Sequence, residues 1–263
     1  MSEEPKKEEK KEESKEGEEK IDLKWPPLES DPVIFNEYFQ SIGMNPDVYF
    51  KELISLVDIS AFLSISGPLL GVILNFSREE MTEEEKAKEK EKDKYPIIKD
   101  VPYFMKQTHE LDNACGLIAA LHVFGNCKNG KMSFQPDSVL DKFFSEAKNL
   151  SPMDKAKLLE KNDNFKKAHK HFSDKGQSDM QKAIKNDFVG HYIGFVNVGG
   201  KLVEFDGVRD NPRIIKENIN DTNFLDLTLE EILRRINSKE IKEQVNVMVV
   251  ADQETQLIDF LAE

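Results

Sequence analysis

The sequence contains little cysteine, no long apolar stretch and fewer basic than acidic residues. Its two cysteines, Cys115 and Cys127, are too few for a disulfide scaffold and form no C-x-x-C metal motif. No apolar run reaches the ~18 residues of a membrane-spanning helix, and the first twenty residues lack the apolar centre of a signal peptide. We therefore expect a protein of the cytoplasm or nucleus that holds no metal or other cofactor.

The net charge of −13, from 37 basic and 50 acidic residues, indicates the kind of partner. An acidic surface repels the phosphates of nucleic acids and of anionic lipids, so we expect neither nucleic acid nor a membrane as a partner. A basic protein or peptide fits this charge better. We expect the protein to be a monomer.

Charged residues are concentrated in two segments of the 263-residue chain. Residues 1–20 contain nine Glu and six Lys with almost nothing apolar, which predicts a disordered tail over residues 1–22. Residues 78–94 contain eight acids and six bases and are interpreted as a charged loop or helix within the folded body. Residues 23–263 have the length of one globular domain.

Helical and strand patterns alternate along this domain. They predict a helix from Asp31-Pro32 to Gly43, a strand over 102–106, a buried helix over 116–125, a helix capped by Ser151, a hairpin of 192–198 and 202–205 around Gly199-Gly200, and a buried strand over 245–250. This mixture predicts an α/β or α+β domain.

Cys115 directly precedes the apolar helical segment. Asn113 or Asp112 could cap that helix, which would place the Cys115 thiol in the first turn, where backbone N–H groups and the helix dipole favour thiolate. The residues alone leave open that Cys115 is a small buried apolar side chain. Cys127 lies about 18 Å further along a continuous helix, so the two cannot form a disulfide. We interpret Cys127 as structural.

A thiol nucleophile needs a base, and the pKa of histidine suits that role. His122 lies inside the buried helix and is interpreted as a core residue. His169 and His171 belong to a lysine-rich helical segment, and we expect both to face solvent. His191 differs because it comes directly before an apolar strand, where its ring can project from the strand end into a cleft.

The predicted hairpin relates His191 to Asp206. If Gly199-Gly200 is a two-residue turn, Ile193 pairs with Asp206, and His191 and Asp206 lie on one face as diagonal neighbours about 7–8 Å apart. That spacing permits an imidazole–carboxylate hydrogen bond. A three-residue turn would place them on opposite faces, and Asp206 before Gly207 could also be a simple turn residue.

An acyl-transfer site also needs donors for the charge that develops on the scissile carbonyl. The side-chain amide of Gln107 and the backbone N–H of Cys115 are candidates. On its own, the presence of these two donors is not specific for an acyl-transfer site.

Together these residues resemble the ubiquitin carboxyl-terminal hydrolases, a family of papain-like cysteine peptidases. The resemblance is carried by Gln107-Thr108, Asn113-Ala-Cys-Gly116, His191 and Asp206, and it extends through Trp25–Glu29, Tyr103–Thr108 and Ser151–Lys157. It covers nearly the whole chain from about residue 24. It implies a papain-like fold with a central antiparallel sheet flanked by helices and a knotted topology.

The resemblance also implies roles and a substrate. Cys115 would be the nucleophile, His191 the general base and proton donor, Asp206 the group that orients His191, and Gln107 the oxyanion donor. The implied reaction is cleavage of small adducts or short peptides from the C-terminal glycine of ubiquitin through a thioester. The acidic body would steer the basic ubiquitin tail.

Two further features carry over from the family. Glu29 and Glu52 occupy positions where relatives carry acids that face the ubiquitin tail. Residues from about 147 to 187 resemble the active-site crossover loop that limits what can be threaded through the cleft. We therefore expect linked ubiquitin chains to be poor substrates.

The spacing between Gln107 and Cys115 departs from the family. Seven residues, Thr108–Ala114, separate them, two more than in the family, so that counting by the family spacing reaches His109. One alternative is therefore a ubiquitin-binding protein with weak or no hydrolysis, because this two-residue insertion misplaces the donor or blocks the cleft. Another is a cysteine peptidase that acts on a different ubiquitin-like modifier.

Overall fold

The computed structural model describes residues 24–58, 64–77, 95–127, 134–176 and 190–253. The predicted charged tail (1–22) and charged loop (78–94) lie outside these described residues. The described part contains, in chain order, helix α1 (Pro32–Ser41), strands β1 (Val48–Glu52) and β2 (Leu69–Ser77), a 3₁₀ helix η1 (His109–Ala114), helices α2 (Cys115–Asn126), α3 (Val139–Ala147), α4 (Pro152–Glu160) and α5 (Asp163–Ser173), strands β3 (Gly190–Val198), β4 (Lys201–Phe205) and β5 (Arg213–Glu217), helix α6 (Phe224–Asn237) and strand β6 (Val245–Asp252).

The strands form one antiparallel sheet of six strands in the order β1-β6-β2-β3-β4-β5. Its last strand in sequence, β6, therefore lies between β1 and β2. The hairpin of β3 and β4 is the predicted one, because Val198 pairs with Lys201 across a two-residue turn. Gly199 and Gly200 have φ values of 59° and 80°, and a two-residue turn with positive φ at both positions matches the twist of the strands it joins.

The two faces of the sheet support separate apolar cores. The period of two along β2 places Ile73 in one core and Val72 and Leu74 in the other. The larger core packs α1 to α5 on the sheet, with α2 at its centre. The smaller core is closed by α6 through residues such as Leu229 and Ile232. Burial of both faces makes the sheet a rigid platform for the residues at its ends.

Most of the predicted elements are confirmed. α1 begins at Pro32 with the Asp31 side chain accepting from the Val33 N–H, and α4 begins at Pro152 with the Ser151 hydroxyl accepting from the Asp154 N–H. α2 is buried on nearly every side, as its uniformly apolar sequence predicts. The buried strand over 245–250 is part of β6.

The predicted strand over 102–106 is wrong. The segment forms no strand, and two of its backbone N–H groups bond to side chains of α2: Tyr103 N donates to Asn126 Oδ1 (3.1 Å) and Met105 N to His122 Nε2 (3.2 Å). Buried polar side chains on the helix thus satisfy the backbone groups that a strand partner would otherwise satisfy.

The predicted crossover loop is shorter than expected at its N-terminal side. Residues 152–173 form α4 and α5 instead, and Phe165 and Phe172 on α5 pack into the larger core. The connection from α5 to β3 spans residues 174–189, of which 177–189 lie outside the described residues. In the part of the chain that the structure describes, no helix is both long and apolar enough to cross a membrane.

Candidate active site

Cys115 is the first residue of α2, at the end of the helix that packs on the centre of the sheet. The thiol is 4% exposed, and its Sγ lies 3.9 Å from the carbonyl oxygen of Gly190, the residue before His191. The N-cap is Ala114 rather than the expected Asn113 or Asp112, and an alanine side chain cannot accept a hydrogen bond. The first-turn N–H groups around Cys115 are therefore left without a side-chain acceptor from the cap residue.

The extra residues between Gln107 and Cys115 form the 3₁₀ helix η1. Its Leu111 is fully buried and has a non-helical backbone, whereas His109 and Glu110 are exposed. Leu111 N donates to the Thr108 carbonyl at 3.0 Å. The longer spacing is thus absorbed in a packed turn of helix that leads directly into α2.

The β3–β4 hairpin brings His191 and Asp206 together. His191 lies at the start of β3 and Asp206 directly follows β4, and their side chains form a hydrogen bond of 2.9 Å between Nε2 and Oδ1. Asp206 Oδ1 also accepts from the Val208 N–H at 3.1 Å. The predicted imidazole–carboxylate contact is confirmed, since the two-residue turn fixes this register.

His191 is held between an acid and a thiol. Nε2 of His191 is bonded to Asp206, and the Cys115 side chain also interacts with the imidazole. Burial alone would lower the pKa of His191, but the charge and hydrogen bond of Asp206, together with Cys115, raise this pKa well above its ordinary value. The ring of Phe76 packs edge-on against the imidazole at 5.7 Å. The structure therefore favours an imidazolium beside Cys115.

A buried cluster of charges lies behind Asp206 and was missed by sequence reasoning. Glu204 is 1% exposed and pairs with Arg213 and Arg235, and Arg209 Nε lies 3.7 Å from both Glu204 Oε1 and Asp206 Oδ2. Burial would raise the pKa of Glu204, but the three surrounding arginines outweigh it and hold this pKa below its usual range. The alternation of β4 already indicated that Glu204 and Asp206 share a face.

Gln107 and His109 differ clearly in their surroundings. Gln107 is half-buried, and its backbone N–H donates to the Gly207 carbonyl at 2.8 Å, which holds it beside the residue that follows Asp206. A Cβ at Gly207 would lie 2.9 Å from the Gln107 Cβ, so the glycine permits this close approach. His109 is exposed at the start of η1. This placement favours Gln107 over His109 as the oxyanion donor.

Glu52 is linked by polar contacts to Ser30, the residue after Glu29. Ser30, next to Glu29, donates to Asn246 Oδ1 at 2.7 Å, and the Asn246 amide donates to Glu52. Glu29 is half-buried and lies against Gly176, where a Cβ would come 2.6 Å from Oε2. Glu52 is exposed. Asn246 of β6 thus joins Glu52 to the segment that carries Glu29.

The remaining histidines and Cys127 lie apart from these residues. His122 is fully buried and contacts Met105 through Nε2, as a core residue should. The expectation that His169 faces solvent is wrong: it is fully buried between Trp25 and Tyr38, and its Nε2 lies 2.6 Å from the Pro26 carbonyl. This burial follows from the helix geometry of α5, because His169 lies one turn after the buried Phe165 and therefore on the same face of the helix. Cys127 is buried at the end of α2.

The assembled groups match the requirements of a thiol hydrolase. A cysteine at a helix N-terminus, a histidine whose pKa is raised beside a buried carboxylate, and a glutamine bonded to the turn after that carboxylate are the residue types that such an enzyme uses as nucleophile, proton carrier and oxyanion donor. Within the described residues, no group of three or more His, Cys, Asp or Glu side chains could hold a metal ion.

Comparison with known proteins gives concordant matches. The family model described as ubiquitin carboxyl-terminal hydrolase, family 1, matches residues 25–237. Ubiquitin carboxyl-terminal hydrolase 3 of Arabidopsis thaliana is 32% identical over 189 residues, covering 72% of this chain and 78% of the relative. Ubiquitin carboxyl-terminal hydrolase isozyme L1 of Homo sapiens is 32% identical over 181 residues, covering 69% and 78%.

A solved structure has the same fold. The Trichinella spiralis UCH37 catalytic domain, crystallised with ubiquitin vinyl methyl ester, superposes with a TM-score of 0.66 at 22% identity, covering 87% of this chain and 95% of that domain. The expected papain-like fold, with a central antiparallel sheet flanked by helices, is thereby confirmed. The knotted topology stays a prediction.

Proposed function

The chain belongs to family 1 of the ubiquitin carboxyl-terminal hydrolases and is a deubiquitinating cysteine hydrolase; from this premise we propose how its residues carry out the reaction and which ubiquitin adducts it accepts. The observation that carries the proposal is the position of His191, whose Nε2 is hydrogen-bonded to Asp206 and whose pKa is raised by Asp206 and Cys115.

The first half of the reaction forms a thioester. With its proton already held by the His191 imidazolium, the Cys115 sulfur attacks the carbonyl carbon of the C-terminal glycine of ubiquitin, so that a tetrahedral oxyanion forms. The Gln107 amide and the Cys115 backbone N–H stabilise that oxyanion. The intermediate collapses when the bond to the leaving group breaks, and His191 gives the proton to the departing amine or alcohol.

The second half restores the enzyme. His191, now neutral, removes a proton from a water molecule that attacks the thioester carbonyl, and the carboxylate of ubiquitin leaves as the Cys115 thiolate reforms. Asp206 holds the imidazole in the tautomer with hydrogen on Nε2 and stabilises it when charged, as its bonds to Nε2 and to Val208 N require.

Fluorogenic ubiquitin amide tests this role. If deacylation is slow, we expect a burst of product equal to the enzyme concentration; if it is fast, we expect product to form at a constant rate. In both cases Cys115→Ser should abolish turnover but retain ubiquitin binding. A Cys127→Ser variant is the matched control, since that thiol lies at the far end of α2. Product formation that survives Cys115→Ser would contradict the proposed nucleophile.

The substrate range follows from the connection between α5 and β3. Its described ends lie at Gly176, against Glu29, and at Gly190, whose carbonyl contacts Cys115. Thirteen residues, 177–189, separate these points in the sequence and lie outside the described residues, and the family resemblance implies that this segment limits what can reach the thiol. We therefore expect ubiquitin esters, amides and short peptide extensions to be cleaved and folded diubiquitin to be a poor substrate. Equal kcat/KM values for a peptide extension and for diubiquitin would contradict this.

The acids Glu29 and Glu52 support recognition of the basic ubiquitin tail. A Glu29→Gln/Glu52→Gln double variant removes two negative charges from segments that are joined through Ser30 and Asn246. We expect a higher KM with an almost unchanged kcat, and a weaker dependence of kcat/KM on salt. Glu217→Gln, an exposed acid on β5, is the control for the loss of surface charge alone.

The alternative of a ubiquitin-binding protein without hydrolysis is not favoured. That alternative assumed that the insertion before Cys115 disturbs the site. The inserted residues instead form part of η1, and His191 still interacts with Asp206 and Cys115. Action on a different ubiquitin-like modifier is tested by labelling with C-terminal electrophiles of several modifiers.

Location and assembly are also part of the proposal. A monomer in the cytoplasm or nucleus fits a chain whose two cysteines are both free thiols. Cell fractionation and light scattering of the purified protein test the two points separately.

A further inference from the structure

Lys106 has no role in the reaction described above, yet its ammonium is fully engaged. The side chain is 17% exposed, and Nζ donates to the carbonyl of Arg209 (2.5 Å), the carbonyl of Val208 (3.3 Å) and Oδ1 of Asp210 (3.2 Å). An ammonium has three protons, so these three acceptors complete its hydrogen bonding. All three belong to the turn that follows Asp206.

The backbone on both sides of the Lys106 side chain is fixed as well. Lys106 N donates to the Pro152 carbonyl at 3.0 Å, and Gln107 N donates to the Gly207 carbonyl at 2.8 Å. Residues 106–107 and 207–210 therefore form one clamp, in which the Lys106 side chain supplies the contacts on the far side of the turn. The close approach of Gly207 to Gln107 lies inside this clamp.

Asp206 is oriented by the turn that follows it and makes no contact with the Lys106 side chain among those given above. Its Oδ1 accepts from Val208 N at 3.1 Å, its carbonyl accepts from Arg209 N at 3.1 Å, and Arg209 Nε lies 3.7 Å from Oδ2. These contacts are local to the turn. Loss of the Lys106 side chain therefore leaves the Asp206–His191 pair in place and releases the segment that carries Gln107.

The spacing between Gln107 and Cys115 explains why Gln107 needs the contacts of the clamp. Seven residues separate Gln107 from Cys115, and η1, which fills this interval, has an irregular backbone at Leu111. The covalent path from the nucleophile is therefore a weak constraint on the Gln107 amide. A donor must be held close to its productive position to stabilise an oxyanion.

We propose that Lys106 is a positioning residue, which fixes the Gln107 amide relative to Cys115 by fastening residues 106–107 to the turn after Asp206. The inference rests on the proposed function, because it assigns Lys106 a part in the same reaction. It does not make Lys106 a catalytic residue, since the ammonium contacts only the turn.

A double-mutant cycle on the full chain tests this positioning. Hydrolysis of fluorogenic ubiquitin amide is measured for the unchanged protein, Lys106→Met, Gln107→Ala and the double variant. We expect Lys106→Met to lower kcat about tenfold or more, up to the ~10²-fold cost of losing one oxyanion donor, with KM changed less than twofold. In the Gln107→Ala background, Lys106→Met should cost almost nothing further.

A second readout separates positioning from a general structural defect. Alkylation of Cys115 by iodoacetamide needs the thiolate and His191 but no oxyanion donor, so its rate-versus-pH profile should be the same with and without Lys106→Met. Lys201→Met, which removes an exposed lysine paired with Glu217 at 3.6 Å, is the matched control and should change neither measurement. Lys106→Gln, which keeps two donor protons, should fall between the unchanged protein and Lys106→Met.

Three outcomes would overturn the inference. The first is a double variant whose kcat falls by the product of the two single-variant effects, and the second is a pH profile of alkylation that shifts with Lys106→Met. The third is an unchanged kcat in a Lys106→Met protein that still shows an intact thermal transition. If Lys106→Met does not fold, the same criteria apply to Lys106→Gln. Failure of the proposed function itself gives a different result, because the unchanged protein would then show no Cys115-dependent hydrolysis.

Discussion

Replacing Asp206 by asparagine separates the charge of this residue from its shape. Asp206 Oδ1 accepts from both His191 Nε2 and Val208 N. An asparagine at this position keeps its oxygen toward these two donors, because the Val208 N–H cannot donate to an amide nitrogen. The His191 tautomer is therefore preserved, while the negative charge and the contact of Oδ2 with Arg209 are lost.

Two independent arguments give the interaction energy that is lost with the negative charge of Asp206. Two unit charges about 4 Å apart attract by about 4 kcal/mol at an effective dielectric constant of ~20. An adjacent opposite charge typically shifts a pKa by about 1–3 units, or about 1–4 kcal/mol. The two ranges overlap, and both side chains are under 10% exposed, so solvent screening is weak. Because Asp206 raises the pKa of His191, its neutralisation lowers that pKa.

The assay is the pH dependence of kcat/KM for fluorogenic ubiquitin amide. The alkaline limb reports loss of the His191 proton, so Asp206→Asn should move it about 1–3 units toward lower pH. Asp206→Ala removes the hydrogen bond too and should lower kcat further, while Glu217→Gln, an exposed acid, should leave the profile unchanged. An alkaline limb that stays in place in an active Asp206→Asn enzyme would refute the assignment of Asp206 as the charge partner.

Two other predictions follow from the same structure. Gln107→Ala should lower kcat about 10²-fold, the usual cost of one oxyanion donor, and His109→Ala much less, measured with the same substrate; the reverse ranking would assign the donor to His109. Burial lowers the pKa of His169 to about 4, so its stabilising contribution is complete above the unfolded pKa of about 6.5 and is lost as the pH falls toward 4, up to about 3 kcal/mol. Urea unfolding at pH 7 and pH 4.5 should show a smaller acid loss for His169→Gln than for the exposed control His171→Gln, and equal losses would contradict this.

The site was largely predictable because its geometry depends on local rules. A two-residue glycine turn fixes the register of a hairpin, and the register brings Asp206 to His191. The position of Cys115 followed from the boundary between a polar segment and an apolar helix. In each case the deciding interactions lie within a few residues or across one strand pair.

The errors arose where distant residues decide the structure. Whether 102–106 forms a strand depends on His122 and Asn126 of α2, which satisfy its backbone groups. Likewise, the burial of His169 depends on Trp25 and Tyr38, far away in sequence. Sequence periodicity reports which face of an element is apolar, but it does not say which other segment covers that face.

The place of β6 in the sheet has a consequence for biogenesis. This strand, Val245–Asp252, leaves the ribosome after all the other described strands, yet it inserts between β1 and β2. Until β6 has been synthesised, the edges of β1 and β2 that pair with it have no partner, so both edges stay exposed in the nascent chain. Premature termination before Val245 would therefore yield a chain that aggregates rather than a smaller working hydrolase.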